Sequence, residues 1–504
     1  MDFSLVAETL SFLTTLFVFF IGLGVLGVIF LFIRDVSQRK NAIQRNFPVV
    51  GHFRDLFTFF GAFFRQYFFA MDREELPFNR AERSWVYDAA ERKGSTTIPF
   101  GSTRPLNITG TIIFANGMFP TLESDEVSAS KITFGPYTKH PFETDKLFNI
   151  SGMSYGAISK PAVLALSNGA RMAGIWMNTG EGALSPYHLE GGANIIFQIG
   201  TAKFGVRTKK GELNDAKLQE VAAHGQVKMF ELKLSQGAKP GKGGILPGEK
   251  VTEEIAGIRG VEAGKDAISP NRHLEIDSIP DLLDMISHIR DVTEKPVGMK
   301  CVVGSYGWVH EMCEEIHKRG IESAPDFITI DSADGGTGAA PMSLIDYMGI
   351  PLKESLPGVV DILDQYNLRP RIRVVCSGKL VTPAEVAWAL AMGADATISA
   401  RGFMFAMGCI QALHCNRNTC PTGITTHNKH LQAGLDPADK AVRVMNYANN
   451  IHKEVGIIAH SCGVTCPRQL NRSHARVVLD TGRSESLDKI FPPVSADPEY
   501  KAVT

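Results

Sequence analysis

Cys409, Cys415 and Cys420 are spaced C-x5-C-x4-C, and Pro421 follows the last of them directly. Thiolates this close in the chain can wrap one iron–sulfur centre, and a proline after the final cysteine also marks bacterial ferredoxin motifs. Zinc favours paired C-x2-C knuckles, which this run lacks. Three ligands suit a 3Fe–4S centre. Cys462 and Cys466, spaced C-x3-C, are the neighbours from which a fourth could come. Isolated cysteines are usually small buried apolar side chains, and Cys301, Cys313 and Cys376 read that way.

A second set of residues points to anions. Lys233 ends an apolar run, and Lys239 lies in the glycine-rich loop after it. A lysine in an enclosed mouth is costly unless it meets an anion; the plain alternative for Lys239 is a solvated surface. Arg259 and Arg272 flank the same loop and have the geometry to clamp carboxylates, although surface salt bridges are as good a reading for either. Ser377-Gly378 and Ala400-Arg401-Gly402 each follow a short β-branched run. Turns of this kind present backbone N–H groups to a phosphate at the start of a helix.

These residues need a scaffold that gathers them. From about residue 147 the chain alternates short apolar runs with stretches of helical period, as βα units do. The runs are 148–151, 174–177, 195–199, 229–232, 297–302, 327–330, 371–375 and 396–399. Eight such strands close a parallel (β/α)8 barrel, whose active site lies at the C-terminal strand ends. A doubly wound open sheet is the alternative. Between the fourth and fifth runs lies GAKPGKGGILPGEK, too glycine-rich for a helix and read as a loop.

Ahead of this body, residues 9–33 contain no charged side chain, a stretch long enough to span a bilayer. Asp2 and Glu8 precede it, and no lysine or arginine does, which argues against a cleaved signal peptide. Arg34, Arg39, Lys40 and Arg45 follow, predicting a single-pass segment in the cytoplasmic membrane with the rest of the chain in the cytoplasm. Gly22, Gly24 and Gly27 spell G-x-G-x-x-G but sit inside this run, without the strand and helix a dinucleotide fingerprint needs. Residues 51–70 hold eight phenylalanines with Arg54 and Arg65 among them. They read equally as an interfacial helix and as a helix packed on the body. The expected organisation is a membrane segment (1–34), a juxtamembrane lead-in (35–145), the barrel (146–430) and a helical extension (431–504).

Composition sets outer bounds. The chain has 504 residues, a net charge of −1 and 44% hydrophobic residues. A full core can form, and nothing in the charge predicts a nucleic-acid partner. Eight cysteines are too few for a disulfide scaffold of this length.

The stretches ISGMSYGAISKPA, MNTGEG, ELKLSQGAKPGKGGILPGEKV, IDSADGGTGAAP and GCIQALHCNRNTCPTGI, in that order, resemble the FMN and iron–sulfur region of glutamate synthases over roughly residues 100–480. The resemblance implies FMN at the mouth of the barrel beside a 3Fe–4S cluster ligated by Cys409, Cys415 and Cys420. It implies electrons from ferredoxin or a separate pyridine-nucleotide-oxidising reductase, and formation of L-glutamate from 2-oxoglutarate and ammonia through 2-iminoglutarate. It places Gly152, Met153, Ser154, Asn178, Gln198, Lys233, Gly336, Ser377, Gly378 and Arg401 around FMN. Lys239 and Arg259 match positions that hold the substrate carboxylates, and Glu181 matches an acidic residue near the ammonia route.

The sequence departs from the family at four points. The large enzymes begin with a glutaminase domain whose nucleophile is an N-terminal cysteine, and here no cysteine precedes Cys301. Ammonia is therefore expected from solution or a partner. The family's C-terminal β-helix domain is expected to be missing. Ile245 stands where the family has a glutamine that holds the oxo acid, which leaves open another oxo acid, hydroxy acid or amino-acid derivative. At the phosphate turn, a glycine pair is reduced to Gly378-Lys379. The membrane segment also leaves open a role as an electron-transfer subunit.

Overall fold

The computed structural model describes residues 3–91, 96–127 and 129–500. Met1, Asp2, residues 92–95 and 128 of the lead-in, and residues 501–504 lie outside it. Chain contacts divide the molecule into two units, Met1–Ala81 and Glu82–Thr504.

Eight strands organise the larger unit: β1 (Phe148–Ile150), β2 (Trp176–Asn178), β3 (Asn194–Ile199), β4 (Val227–Lys233), β5 (Val297–Val302), β6 (Phe327–Asp331), β7 (Arg373–Ser377) and β8 (Ala396–Ser399). Each pairs in parallel with the next, and β8 closes on β1 through Thr397 with Phe148 and Ile398 with Asn149. The (β/α)8 barrel read from the sequence is the observed fold, and the closing pair excludes an open sheet. The strands are almost fully buried, so their sequences are continuous apolar runs rather than alternating ones.

Local signals fix the helices between them. Helix Lys160–Ala173 starts at Ser159, whose side chain accepts from the Ala162 N–H, and stops at Gly174 in the left-handed region, φ 70°. Helix Pro437–Ser461 crosses it where Gly169 has no side chain; a Cβ there would lie 2.5 Å from Val444 Cγ1.

The lead-in supplies a structure the sequence did not reveal. Strands Ile132–Phe134 and Phe142–Thr144 form an antiparallel hairpin against the N-terminal strand ends. The Phe134 ring meets Trp176 and Phe327 edge-on, with centroids 5.8 and 5.6 Å away. This apolar plug seals the floor of the barrel. Residues beyond 431 contribute strands as well as helix: Ala475–Val478 pairs with Ile112–Phe114 and with Ser484–Ser486.

The segment between β4 and β5 is mostly irregular, as its glycines require. It adds a short pair, Ile245–Leu246 with Ala267–Ile268, and a helix, Glu253–Arg259, capped by Thr252.

The smaller unit contains α1 (Phe3–Ser37), α2 (Ala42–Asn46), α3 (Gly51–Phe64) and a π turn, Arg65–Phe69. Within α1, Val6–Ser37 is long and apolar enough to cross a membrane. Gly22, Gly24 and Gly27 lie inside this helix, so the G-x-G-x-x-G spelling has no strand–turn–helix around it.

Candidate active site at the barrel mouth

The C-terminal strand ends bring most of the singled-out residues to one rim. Gly152, after β1, faces Asn178 from β2 and Gln198 from β3: a Cβ on Gly152 would lie 2.9 Å from Asn178 Oδ1 and 3.2 Å from Gln198 Nε2. Met153 and Ser154 follow on the same turn and pack on the backbone of Gly180.

A carboxylate absent from the sequence reading ties these side chains together. Glu231, in β4, is 1% exposed. Its Oε2 accepts from Asn178 Nδ2 at 2.9 Å and Gln198 Nε2 at 2.6 Å, and its Oε1 accepts from Thr329 Oγ1 at 2.7 Å. Lys300, in β5, lies 3.2 Å from Asp331 Oδ2 at the end of β6. Asp331 also accepts from the Gly237 N–H at 2.9 Å and from the Ser377 hydroxyl. Burial opposes the charge on Lys300, but Asp331 and Glu231 outweigh it and hold the ammonium above its ordinary range. Charges placed inside apolar strands, as in FELK and GMKC, are the signal that would have found Glu231 and Lys300.

Beside this network is a cluster of cations around one carboxylate. Lys233 Nζ lies 3.2 Å from Glu181 Oε2 and also donates to Gln236. The backbone of the β4–β5 loop passes over Glu181, where a Cβ on Gly244 would sit 2.4 Å from Oε1. Burial raises the Glu181 pKa, yet Lys233, Lys239 and Arg259 together pull it below the ordinary value. Burial and the neighbouring Lys233 depress the Lys239 ammonium. Burial likewise lowers the Arg259 guanidinium to about 10. Arg259 donates to the Tyr155 carbonyl at 2.9 Å, and its buried Nε has no partner among the described residues. A buried guanidinium with a free donor suits a carboxylate. Arg272 is not part of this cluster; it pairs with Asp277 at the surface, half exposed.

The turn expected to take a phosphate, Ser377-Gly378, follows β7 and is closely packed. Gly378 has φ 140°, and a Cβ there would lie 2.1 Å from Ser332 Cβ, so only glycine fits. Lys379 follows in the left-handed region, φ 53°, and its ammonium is 3.0 Å from Asp334 Oδ2. Arg401, after β8, packs against Gly336 and donates to the Asp334 carbonyl at 3.4 Å. Lys379 thus turns its charge toward Asp334, whose carbonyl Arg401 also meets. Backbone packed too tightly for a Cβ, beside Arg401 and Lys379, has the chemistry to take a phosphorylated ligand.

Cys415 and Cys420 lie within electrostatic range both of Cys409 and of Lys250. Lys250 is buried and donates to the carbonyls of Cys415 and Thr425, each at 2.7 Å. Burial pushes the Cys409 thiol up to about 12, whereas hydrogen bonds from Thr422 and Thr425 overcome burial at Cys420 and lower it. Among the described residues, no group of three His, Cys, Asp or Glu side chains is closed up as a metal site. The donor chemistry of Cys409, Cys415 and Cys420 suits iron and sulfide. Cys462 and Cys466 are buried, as are Cys301, Cys313 and Cys376.

Residues 117–465 match a family profile described as "Conserved region in glutamate synthase". The "Glutamate synthase large subunit-like protein YerD" of Bacillus subtilis (strain 168) is 39% identical over 518 residues, covering 94% of this chain and 98% of that protein. The "Archaeal-type glutamate synthase [NADPH]" of Thermotoga maritima is 34% identical, covering 72% of this chain and 68% of its own length. A "Ferredoxin-dependent glutamate synthase" from Cyanidium caldarium is 34% identical over 64% of this chain, which spans 21% of that protein.

Proposed function

The chain belongs to the glutamate synthase family of oxidoreductases, and from that premise we propose that it uses FMN and a 3Fe–4S cluster to aminate 2-oxoglutarate reductively, through 2-iminoglutarate, to L-glutamate. The observation that carries this reading is the cluster of Lys233, Lys239 and Arg259 around the single carboxylate of Glu181. Lys239 and Arg259 provide one cation for each carboxylate of a dicarboxylic oxo acid. Glu181, kept ionised at neutral pH by its cations, draws ammonium toward the substrate carbonyl and can accept the proton it sheds only in passing, at Oε1 or Oε2.

In this proposal Gly152, Met153, Ser154, Asn178, Gln198, Lys233 and Gly336 line the flavin ring, with Ser377, Gly378 and Arg401 at its phosphate. The Glu231 network fixes Asn178 and Gln198, so that their positions do not depend on the ligand. Cys409, Cys415 and Cys420 would hold the cluster. Bound there, the flavin supplies hydride to the imine carbon and the cluster supplies single electrons. Ammonia comes from solution or a partner, and electrons come from ferredoxin or a separate reductase. We further propose a single membrane span through α1, with the barrel in the cytoplasm; Arg34, Arg39 and Lys40 at its end support that orientation. The domain limits 1–34, 35–145, 146–430 and 431–504 belong to the same proposal.

The test is glutamate formation from 2-oxoglutarate and ammonium by anaerobically reconstituted protein with reduced ferredoxin or reduced viologen. Flavin that is reduced and reoxidised without any glutamate appearing would remove 2-oxoglutarate as the substrate. A second reading, with another oxo acid on the same barrel, is favoured by Ile245. It is half exposed beside the loop that covers Glu181 and is paired with exposed Ile268. That lip offers an apolar contact where the family offers an amide.

A further inference from the structure

We propose that α3 and the π turn after it lie flat on an anionic phospholipid bilayer, with their aromatic face among the headgroups and upper acyl chains. This goes beyond the span proposed for α1, because it assigns a second surface and a lipid chemistry.

The face is one continuous stripe. At about 100° per residue, Phe53, Leu56, Phe57, Phe60, Phe63 and Phe64 fall on one side of α3, whereas Arg54, Asp55 and Thr58 fall on the other. Every one of those six apolar side chains is between 41% and 68% exposed. Its rings pair along the helix, Phe53 with Phe57 at 6.3 Å and Phe60 with Phe64 at 6.2 Å between centroids. The wider π turn lets the stripe continue, since both Phe68 and Phe69 reach Phe64, at 5.5 and 6.2 Å. An exposed apolar strip of this extent marks an interaction surface.

Two further observations choose lipid as the occupant. The first is the corner that joins α3 to α1. Asp35, 1% exposed at the end of α1, accepts from the Val49 N–H and from His52 Nε2, each at 2.9 Å. Gly51 packs so closely on α2 that a Cβ would lie 2.9 Å from Gln44 Cα. The aromatic stripe is therefore fixed at the polar end of a helix apolar enough to span a bilayer. The second is charge. Residues 34–65 carry six Lys and Arg against Asp35 and Asp55, in a chain whose net charge is −1, and Asp35 is already paired with His52. A basic segment with aromatic side chains on one face fits the anionic cytoplasmic leaflet.

The test uses the full chain in nanodiscs containing lipids brominated near the headgroup. Phe60→Trp and Thr58→Trp report on the two faces of α3, and the chain's native tryptophans give a constant background. The expected result is that the Phe60→Trp signal is quenched about twofold more than the Thr58→Trp signal, and more in anionic than in zwitterionic discs. Quenching of neither position, with or without self-association of the chain, overturns the proposal. So does equal quenching of both, which places α3 inside the bilayer, and so does indifference to lipid charge. Glutamate formation is not part of the readout, so this result and the catalytic reading stand or fall separately.

Discussion

The ammonium of Lys233 lies 3.2 Å from the carboxylate of Glu181, so the barrel mouth holds a paired anion inside its cluster of cations. Removing the anion should cost both stability and ammonia capture. Glu181→Gln leaves Lys233 and Lys239 facing each other at a largely buried site, a loss of about 3 kcal/mol. Chemical denaturation at pH 7 measures it. The pKa of Glu181 is depressed below 4.5 in the folded chain. Its contribution is therefore complete above pH 4.5 and disappears as the pH falls through the lower folded value. The variant's stability should thus converge on that of the parent in acid. The KM for ammonium should rise about tenfold, as loss of a charged contact implies. An unchanged stability difference between pH 7 and pH 3 would show that the pair does not form.

Lys239 predicts the opposite pH limb. Its ammonium is depressed below the ordinary 10.5 by burial and by Lys233. An ammonium that binds a substrate carboxylate stops doing so as the pH rises through its pKa. The KM for the oxo acid should then begin to rise at a lower pH than an ordinary lysine would give. Lys239→Arg, with its higher intrinsic pKa, should move that rise to higher pH without abolishing turnover. A KM profile identical in the two proteins would remove Lys239 from the binding site.

The strand ends were readable because a parallel barrel buries both faces of each strand, and the sequence answers with apolar runs. Even the misplaced start of β7 has a physical cause. Arg371 opens the apolar run but is fully buried and pairs with Asp326 at 2.9 Å, two residues before the strand begins at Arg373. Glu231, Lys300 and Asp331 were not readable as a network. Each looks like an interruption of a strand until barrel closure supplies its partners. The plug of Phe134 and Phe142 was hidden for the same reason, since Trp176 and Phe327 are its partners and lie far along the chain. Residue types alone singled out the cysteine run, and Lys250 beneath it only emerges once the loop after Ile245 is folded back.

The thiol cluster gives a prediction independent of turnover. Anaerobic reconstitution with iron and sulfide should give a chain whose iron content and low-temperature EPR signal report a 3Fe–4S centre. Cys415→Ala should lose both while keeping the far-UV circular dichroism of the parent, because Cys415 is only part-buried and contributes little to the core. A signal that survives the substitution intact would mean that the ligands have been wrongly assigned.

Lys379 carries the last prediction. A lysine in the left-handed region costs roughly 1 kcal/mol relative to glycine, and Lys379 stands there with φ 53°. Strain of this kind persists where the surrounding structure over-determines it, and here the ammonium is held 3.0 Å from Asp334 beside Arg401. A dianionic phosphate entering that turn would meet two cations. Lys379→Gly relieves the backbone and removes one of them, so its two effects separate by experiment. Without flavin, the variant should be as stable as the parent or slightly more so. Its Kd for FMN, read by flavin fluorescence, should rise about tenfold at low salt, and the difference should shrink in 0.5 M salt, roughly where screening shortens to a few ångströms. If FMN binds both proteins equally at low salt, Lys379 only neutralises Asp334, and Arg401 alone faces the phosphate.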